Sequence, residues 1–259
     1  MRNLKRALSL ALASVMVLGM TVVGTGASYT DVTSKQNQEA IEVLKTVGII
    51  VGDENGKFNP DAKVTRNEMA VVMCNLLDYT VASYKGTSPF TDVPEWAEPY
   101  VAACWTNGIT SGYTKTTYGG SDTVTTSQAA LMLMKALGYF QYQSDFGSDW
   151  QFSTIKQASK IDLFDDVDSG VKEAMTRNDV AQLVLNALES NVMIVTEEGG
   201  LTVDGNGITV SVKPTYDYNT PAKNNDGPAK DYRISGGDAI MQLCEKLYGN
   251  DLRKNEIGR

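Results

Sequence analysis

The chain has 259 residues, 23 of them basic and 31 acidic, for a net charge of −8 at neutral pH, and it contains no histidine. A surface of that sign repels nucleic acid and anionic lipid heads. The lack of histidine excludes Ser-His-Asp and Cys-His catalysis, histidine-ligated metal sites and the HExxH type of protease.

At the N-terminus, Arg2, Lys5 and Arg6 precede an uncharged apolar run from Ala7 to Val23 that closes on Gly24, Thr25, Gly26 and Ala27. This is the build of a secretory signal peptide over residues 1–27. The run is about 17 residues, at the lower edge of a bilayer span, so an uncleaved anchor helix is the alternative. No cysteine lies near the expected cleavage site to carry a lipid, and no later stretch is long and apolar enough to cross a membrane. The mature chain is expected to be secreted and free of the membrane. Loss of the three basic leader residues moves its charge from −8 to −11.

From residue 28 the chain repeats itself. A slide of 60 residues aligns Ile41, Leu44, Gly48, Ile49, Gly52, Phe58, Val64 and Thr65 with Val101, Cys104, Gly108, Ile109, Gly112, Tyr118, Val124 and Thr125 without a gap. A worn third copy aligns Trp96 with Trp150, Val101 with Ile155 and Gly108 with Asp162. It then runs three residues short before Met175, Thr176 and Arg177 meet Val64, Thr65 and Arg66. The expected divisions are 28–87, 88–145 and 146–195, with a tail over 196–259.

Each copy reads as helix, loop, helix. Ala40, Ile41, Val43, Leu44 and Val47 share one helical face, and Gly48 ends that helix. The loop Gly52 to Pro60 carries a tight Asn55-Gly56 turn, with Phe58 as its apolar peg. The second helix starts at Thr65, with Glu68 three residues on as a capping box and Met69, Val72, Met73, Leu76 and Leu77 as its buried stripe. Thr176 and Asp179 repeat the cap in the third copy. In the second, Val124-Thr125-Thr126-Ser127-Gln128 has neither the arginine nor the glutamate. Asp31 and Asp92 are read as caps of the first helices. A single helical hairpin of this size cannot bury its own face, so the copies must pack on one another.

Cys74, Cys104 and Cys244 lie far apart in sequence without CxxC spacing. They read as small buried thiols, with a disulfide as the alternative. Asp53-Glu54-Asn55-Gly56 and Asp204-Gly205-Asn206-Gly207 begin like EF-hand loops but lack the later ligands, and no metal or cofactor is expected. In the tail, residues 201–212 alternate about a Gly-rich turn and predict a β-hairpin. Residues 213–231 read as a linker, and 238–248 as one short helix with Ile240, Leu243, Cys244 and Leu247 inward.

Phe90-Thr91-Asp92-Val93, Trp96-Ala97, Gly108-Ile109, Gly112 and Val64-Thr65-Arg66-Asn67-Glu68 together resemble the S-layer homology pattern over about residues 28–190. The resemblance implies a mainly α fold, three helix-loop-helix repeats in a pseudo-threefold bundle. It implies that grooves between repeats bind peptidoglycan-linked secondary cell-wall polysaccharide, whose sugars in that family often bear a pyruvate ketal.

The residues fit such a role as follows. Arg66 at the first helical position combines a guanidinium with the free N–H groups and positive dipole end of its helix, a small anion site. Its fork suits a carboxylate, and Arg177 holds the matching place. Pairing with acidic neighbours is the second reading of both arginines. Trp96 and Trp150 either stack on sugars or peg the core. Gly52 and Gly112 either admit a ligand to the backbone or serve a turn of positive φ. The chain is read as a non-catalytic protein of the cell wall or S-layer. The alternative is a surface-array protein whose repeats bind other surface-layer subunits. No paired carboxylates or nucleophile constellation stands out, and about 60 tail residues are few for a catalytic domain.

Overall fold

The computed structural model describes residues 29–33, 36–198, 200–204, 207–211, 214–220 and 240–248. The leader-like segment 1–27 and most of the expected linker therefore lie outside the described residues. No described helix is long and apolar enough to cross a membrane.

Six helices form in three pairs: α1 Gln38–Thr46 and α2 Arg66–Leu76, α3 Glu98–Thr106 and α4 Thr126–Ala136, α5 Trp150–Lys160 and α6 Arg177–Leu188. α1 buries the predicted Ala40, Ile41, Val43 and Leu44. Its end is made by Gly48 at φ 74°, as α3's is by Gly108 at φ 71°, conformations an L side chain adopts only with strain. Asp162, aligned with them, is also left-handed at φ 57°. Phe58 and Tyr118 are fully buried pegs, their rings tilted against Tyr29 and Phe90 at 5.5 and 5.3 Å between centroids.

The pairs pack in a ring. The first helix of each pair lies against the second helix of the pair before it: α3 on α2, α5 on α4, and α1 on α6, which closes the circle. At the centre the backbone itself is cyclic. Val124 N–H donates to Val64 C=O (2.9 Å), Val64 N–H to Met175 C=O (3.1 Å) and Met175 N–H to Val124 C=O (3.0 Å). All three residues are buried. The period seen in sequence is thus a pseudo-threefold arrangement in space, and one core cluster draws on all three pairs.

The tail departs in part from expectation. The hairpin forms, with β2 Gly200–Asp204 antiparallel to β3 Gly207–Ser211. It is bracketed by a second antiparallel pair, β1 Met193–Glu197 with β4 Thr215–Tyr218, so the stretch read as linker begins with a strand. A short helix over 243–248 carries buried Leu243 and Cys244 into the common core. It is held by Leu243 N–H to Ser190 C=O (3.0 Å) and by Val192 N–H to Met241 C=O (2.9 Å).

Candidate functional site

Thr65 and Glu68 form the predicted capping box: Glu68 N–H donates to Thr65 Oγ1 (3.2 Å) and Thr65 N–H to Glu68 Oε2 (2.7 Å). The second copy has a box too, because Gln128 replaces the glutamate without loss of the acceptor and takes the Thr125 N–H at 3.0 Å. In the third, Thr176 accepts from Asp179 N–H (3.1 Å), but Asp179 turns to Ser169 and completes no box.

The helix starts are not free anion sites, which corrects the expectation for Arg66. Each start donates its next two N–H groups to the loop of the following copy. Arg66 and Asn67 donate to Asp122 C=O and Gly120 C=O (2.9 and 3.0 Å), Thr126 and Ser127 to Glu173 C=O and Val171 C=O (3.1 and 3.0 Å), and Arg177 and Asn178 to Ala62 C=O and Pro60 C=O (2.9 and 3.0 Å). With the third N–H taken by the capping threonine, the first three N–H groups of each of these helices are spent within the chain.

The arginine side chains do the same work. Arg66, 7% exposed, donates through Nε to Tyr118 C=O (3.2 Å) and through Nη2 to Ser111 C=O (2.9 Å). It lies between the Tyr113 and Tyr118 rings, 4.7 and 4.5 Å from their centroids. Arg177 treats the first loop alike: Nε to Phe58 C=O (2.8 Å), Nη2 to Val51 C=O (2.9 Å), and 4.9 Å to the Phe58 ring. The second copy has Thr126 here, fully buried, reaching Ser169 C=O at 3.4 Å. The loop it faces is the one that runs three residues short. A threonine suffices where the loop comes closer.

The loops are closed from below by Asp31 and Asp92, which are not helix caps as expected. Asp31 accepts from Phe58 and Asn59 N–H (2.9 and 2.7 Å), Asp92 from Tyr118 and Gly119 N–H (2.8 Å each). The caps of α1 and α3 are Asn37 and Ala97, neither with a side-chain capping bond. Desolvation pushes both carboxyls up, but backbone N–H donors and a nearby cation, Lys57 for Asp31 and Arg66 for Asp92, together outweigh it and hold each below the usual carboxylate range. Gly52 and Gly112 do not serve a turn of positive φ, for neither has one. A Cβ on Gly52 would lie 2.4 Å from the Tyr29 ring and 2.7 Å from Lys57 C=O, and one on Gly112 2.4 Å from the Phe90 ring and 2.6 Å from Thr117 C=O.

Among the described residues, a groove of about 310 Å³ lies where all three copies meet. Its lining combines apolar Ile50, Val51, Val72 and Val180 with Glu68, Asn75, Arg177 and Trp96. Trp96 is 56% exposed and Trp150 40%, so neither pegs the core. Arg177 spends two of five guanidinium donors on the first loop while lining the groove. The groove therefore offers an indole face, a hydrophobic floor and polar groups of both signs. Sequence reasoning matched Trp96 with Trp150 and Arg177 with Arg66 but had no means to bring Trp96 and Arg177 to one groove, since they come from different copies.

The family model of the S-layer homology domain matches residues 28–70 and 89–130. The chain is 25% identical, over 76% of its length, to the middle cell wall protein of Brevibacillus brevis, and 30% identical, over 68%, to the surface-layer 125 kDa protein of Lysinibacillus sphaericus. It is 24% identical, over 66%, to exoglucanase XynX of Acetivibrio thermocellus. These matches cover 19%, 15% and 17% of the relatives, so the chain spans less than a fifth of their length. The two matched segments coincide with the first and second helix-loop-helix units of the ring, up to the first turns of α2 and α4, and on that agreement of sequence and fold these two units belong to the S-layer homology domain family.

Proposed function

We propose that residues 28–87, 88–145 and 146–195 act as three copies of this domain, the third degenerate. Together they anchor the chain at the cell surface by holding secondary cell-wall polysaccharide. The carrying observation is the groove lined by Trp96 and Arg177, an exposed aromatic face beside a guanidinium over an apolar floor. A sugar ring presents a C–H face to the indole and hydroxyls to Arg177, Asn75 and Glu68; a ketal carboxylate fits the unspent donors of Arg177. The binding centre moves accordingly, from Arg66 to the groove that Arg177 closes. Trp150 and Arg66 occupy the corresponding positions one copy further on, where Arg66 is covered. The role is non-catalytic, and the exoglucanase resemblance belongs to the shared domain, not to glycan cleavage.

Co-sedimentation with purified cell-wall sacculi tests the reading. The protein is expected to pellet with intact sacculi and to stay in solution with sacculi stripped of secondary polysaccharide. Trp96→Ala is expected to weaken retention about tenfold, equivalent to about 1.4 kcal/mol, at an unchanged melting temperature. Equal retention on stripped sacculi overturns it. Assembly of the protein with itself and no affinity for walls would instead favour a surface-array role.

A further inference from the structure

Cys74 on α2 and Cys104 on α3 are 30 residues apart, yet their sulfurs touch at 3.6 Å. Both are fully buried, and neither is disulfide-bonded. Cys244, the third, sits in the tail helix, where its sulfur faces Gln242 Oε1 at 3.8 Å. We propose that Cys74 and Cys104 close into a disulfide that ties the first copy to the second beneath the polysaccharide groove. A disulfide needs sulfurs about 2.05 Å apart, so closing this pair takes about 1.5 Å of movement, within reach of side-chain rotation on two packed helices. The helices concerned carry the groove: Val72 and Asn75 lie beside Cys74, and Trp96 just before α3. A bond here fixes the distance between the indole and the groove floor.

The chemistry balances with a disulfide oxidant. A Cys74 thiolate attacks glutathione disulfide and releases one glutathione. Cys104 thiolate then attacks the Cys74 sulfur of the mixed disulfide and releases the second. Each proton lost by a cysteine ends on a released glutathione thiol. In the folded protein the neighbouring Cys74 and burial push the Cys104 thiol well above its ordinary range, which makes the native pair slow to react. The bond therefore forms during folding, while the thiols are accessible. Persistence of the bond rests on the surface location proposed above, since disulfides last in oxidising surroundings.

The test is refolding of the purified chain from denaturant in an excess of oxidised over reduced glutathione, with mapping of disulfides by mass spectrometry. Three pairings are possible, and the fold is expected to select Cys74–Cys104 and leave Cys244 free. The oxidised protein should melt roughly 5 °C or more above the reduced one, and reductant should abolish the difference. Cys104→Ser should give no intramolecular bond and no oxidant-dependent shift. Free Cys74 and Cys104 after refolding, a bond to Cys244, or a bond without a rise in melting temperature overturns the proposal. Sacculus retention of the same samples bears on wall binding alone, so the two readings fail separately.

Discussion

Asp92 and Gly112 show how much of a loop's geometry rests on single atoms. Asp92 holds the second loop through two backbone N–H groups, and its folded pKa is below the unfolded value of about 3.9. The unfolded chain thus binds the proton more tightly. The stabilisation is complete above about pH 4 and is lost as pH falls through the lowered folded value. Melting curves of the protein and Asp92→Asn should differ most at neutral pH and converge below pH 4; a constant gap across that window contradicts the assignment. Gly112→Ala forces a Cβ against the Phe90 ring and Thr117 C=O and should cost about 1–3 kcal/mol in denaturant unfolding. Had the glycine served ligand approach, binding would fall while stability stayed. Arg66→Ala removes two bonds to carbonyls of the second loop and should cost about 3 kcal/mol of stability. The sequence shows that Arg66 stands at a helix start, but not that the next copy's loop sits on that start. Local spacing gives the position of a side chain, and its partner 52 residues away is set by packing.

The helices and the caps of α2 and α6 were legible because they depend on neighbours within four residues. Thr65 with Glu68, and the apolar faces of α1 and α2, follow from spacing alone. The box at Thr125 was hidden only by the expectation of a glutamate, since Gln128 accepts the same bond. β4 was hidden for a different reason. Its pairing partner β1 lies beyond the intervening hairpin, and a strand of four residues beside a polar stretch carries no local period of its own. The second copy's missing arginine and the third copy's short loop were each visible in the sequence as separate wear. In the fold they are one feature, with Thr126 on α4 reaching a loop that has moved in to meet it. Restoring the family's residue should therefore harm the protein. Thr126→Arg inserts a long side chain at a fully buried site and should destabilise by about 1–3 kcal/mol or more. A variant as stable as the parent would mean that the short loop leaves room for a guanidinium.

At the scale of the whole molecule the ring has no independent part. α1 has its packing partner in α6, at the far end of the repeat region, and the contact is sewn by Asn37 N–H to Asn178 Oδ1 (2.8 Å) and Lys63 Nζ to Ala174 C=O (2.9 Å). Cutting after residue 145 removes α5 and α6 together. The apolar face of α1 and the outer face of α4 are then bare, Val64 N–H loses Met175 C=O, and the first loop loses both bonds from Arg177. Two units cannot close a three-membered cycle of backbone bonds, so no rearrangement within residues 28–145 replaces what is lost. The tail is a different case. It meets the ring through Met193 N–H to Leu137 C=O (2.7 Å) and through Leu243 and Cys244, all at one end, without entering the cycle. Thermal unfolding followed by circular dichroism should separate the two. A chain of residues 28–195 should keep one sharp transition at a lowered temperature, whereas a chain of residues 28–145 should retain helical signal without a cooperative melt. A sharp transition in the shorter chain would show that two units form a core of their own and that the ring is an addition of stable halves. Its absence, with the longer chain intact, would place the third pair among the elements the fold requires despite its worn sequence.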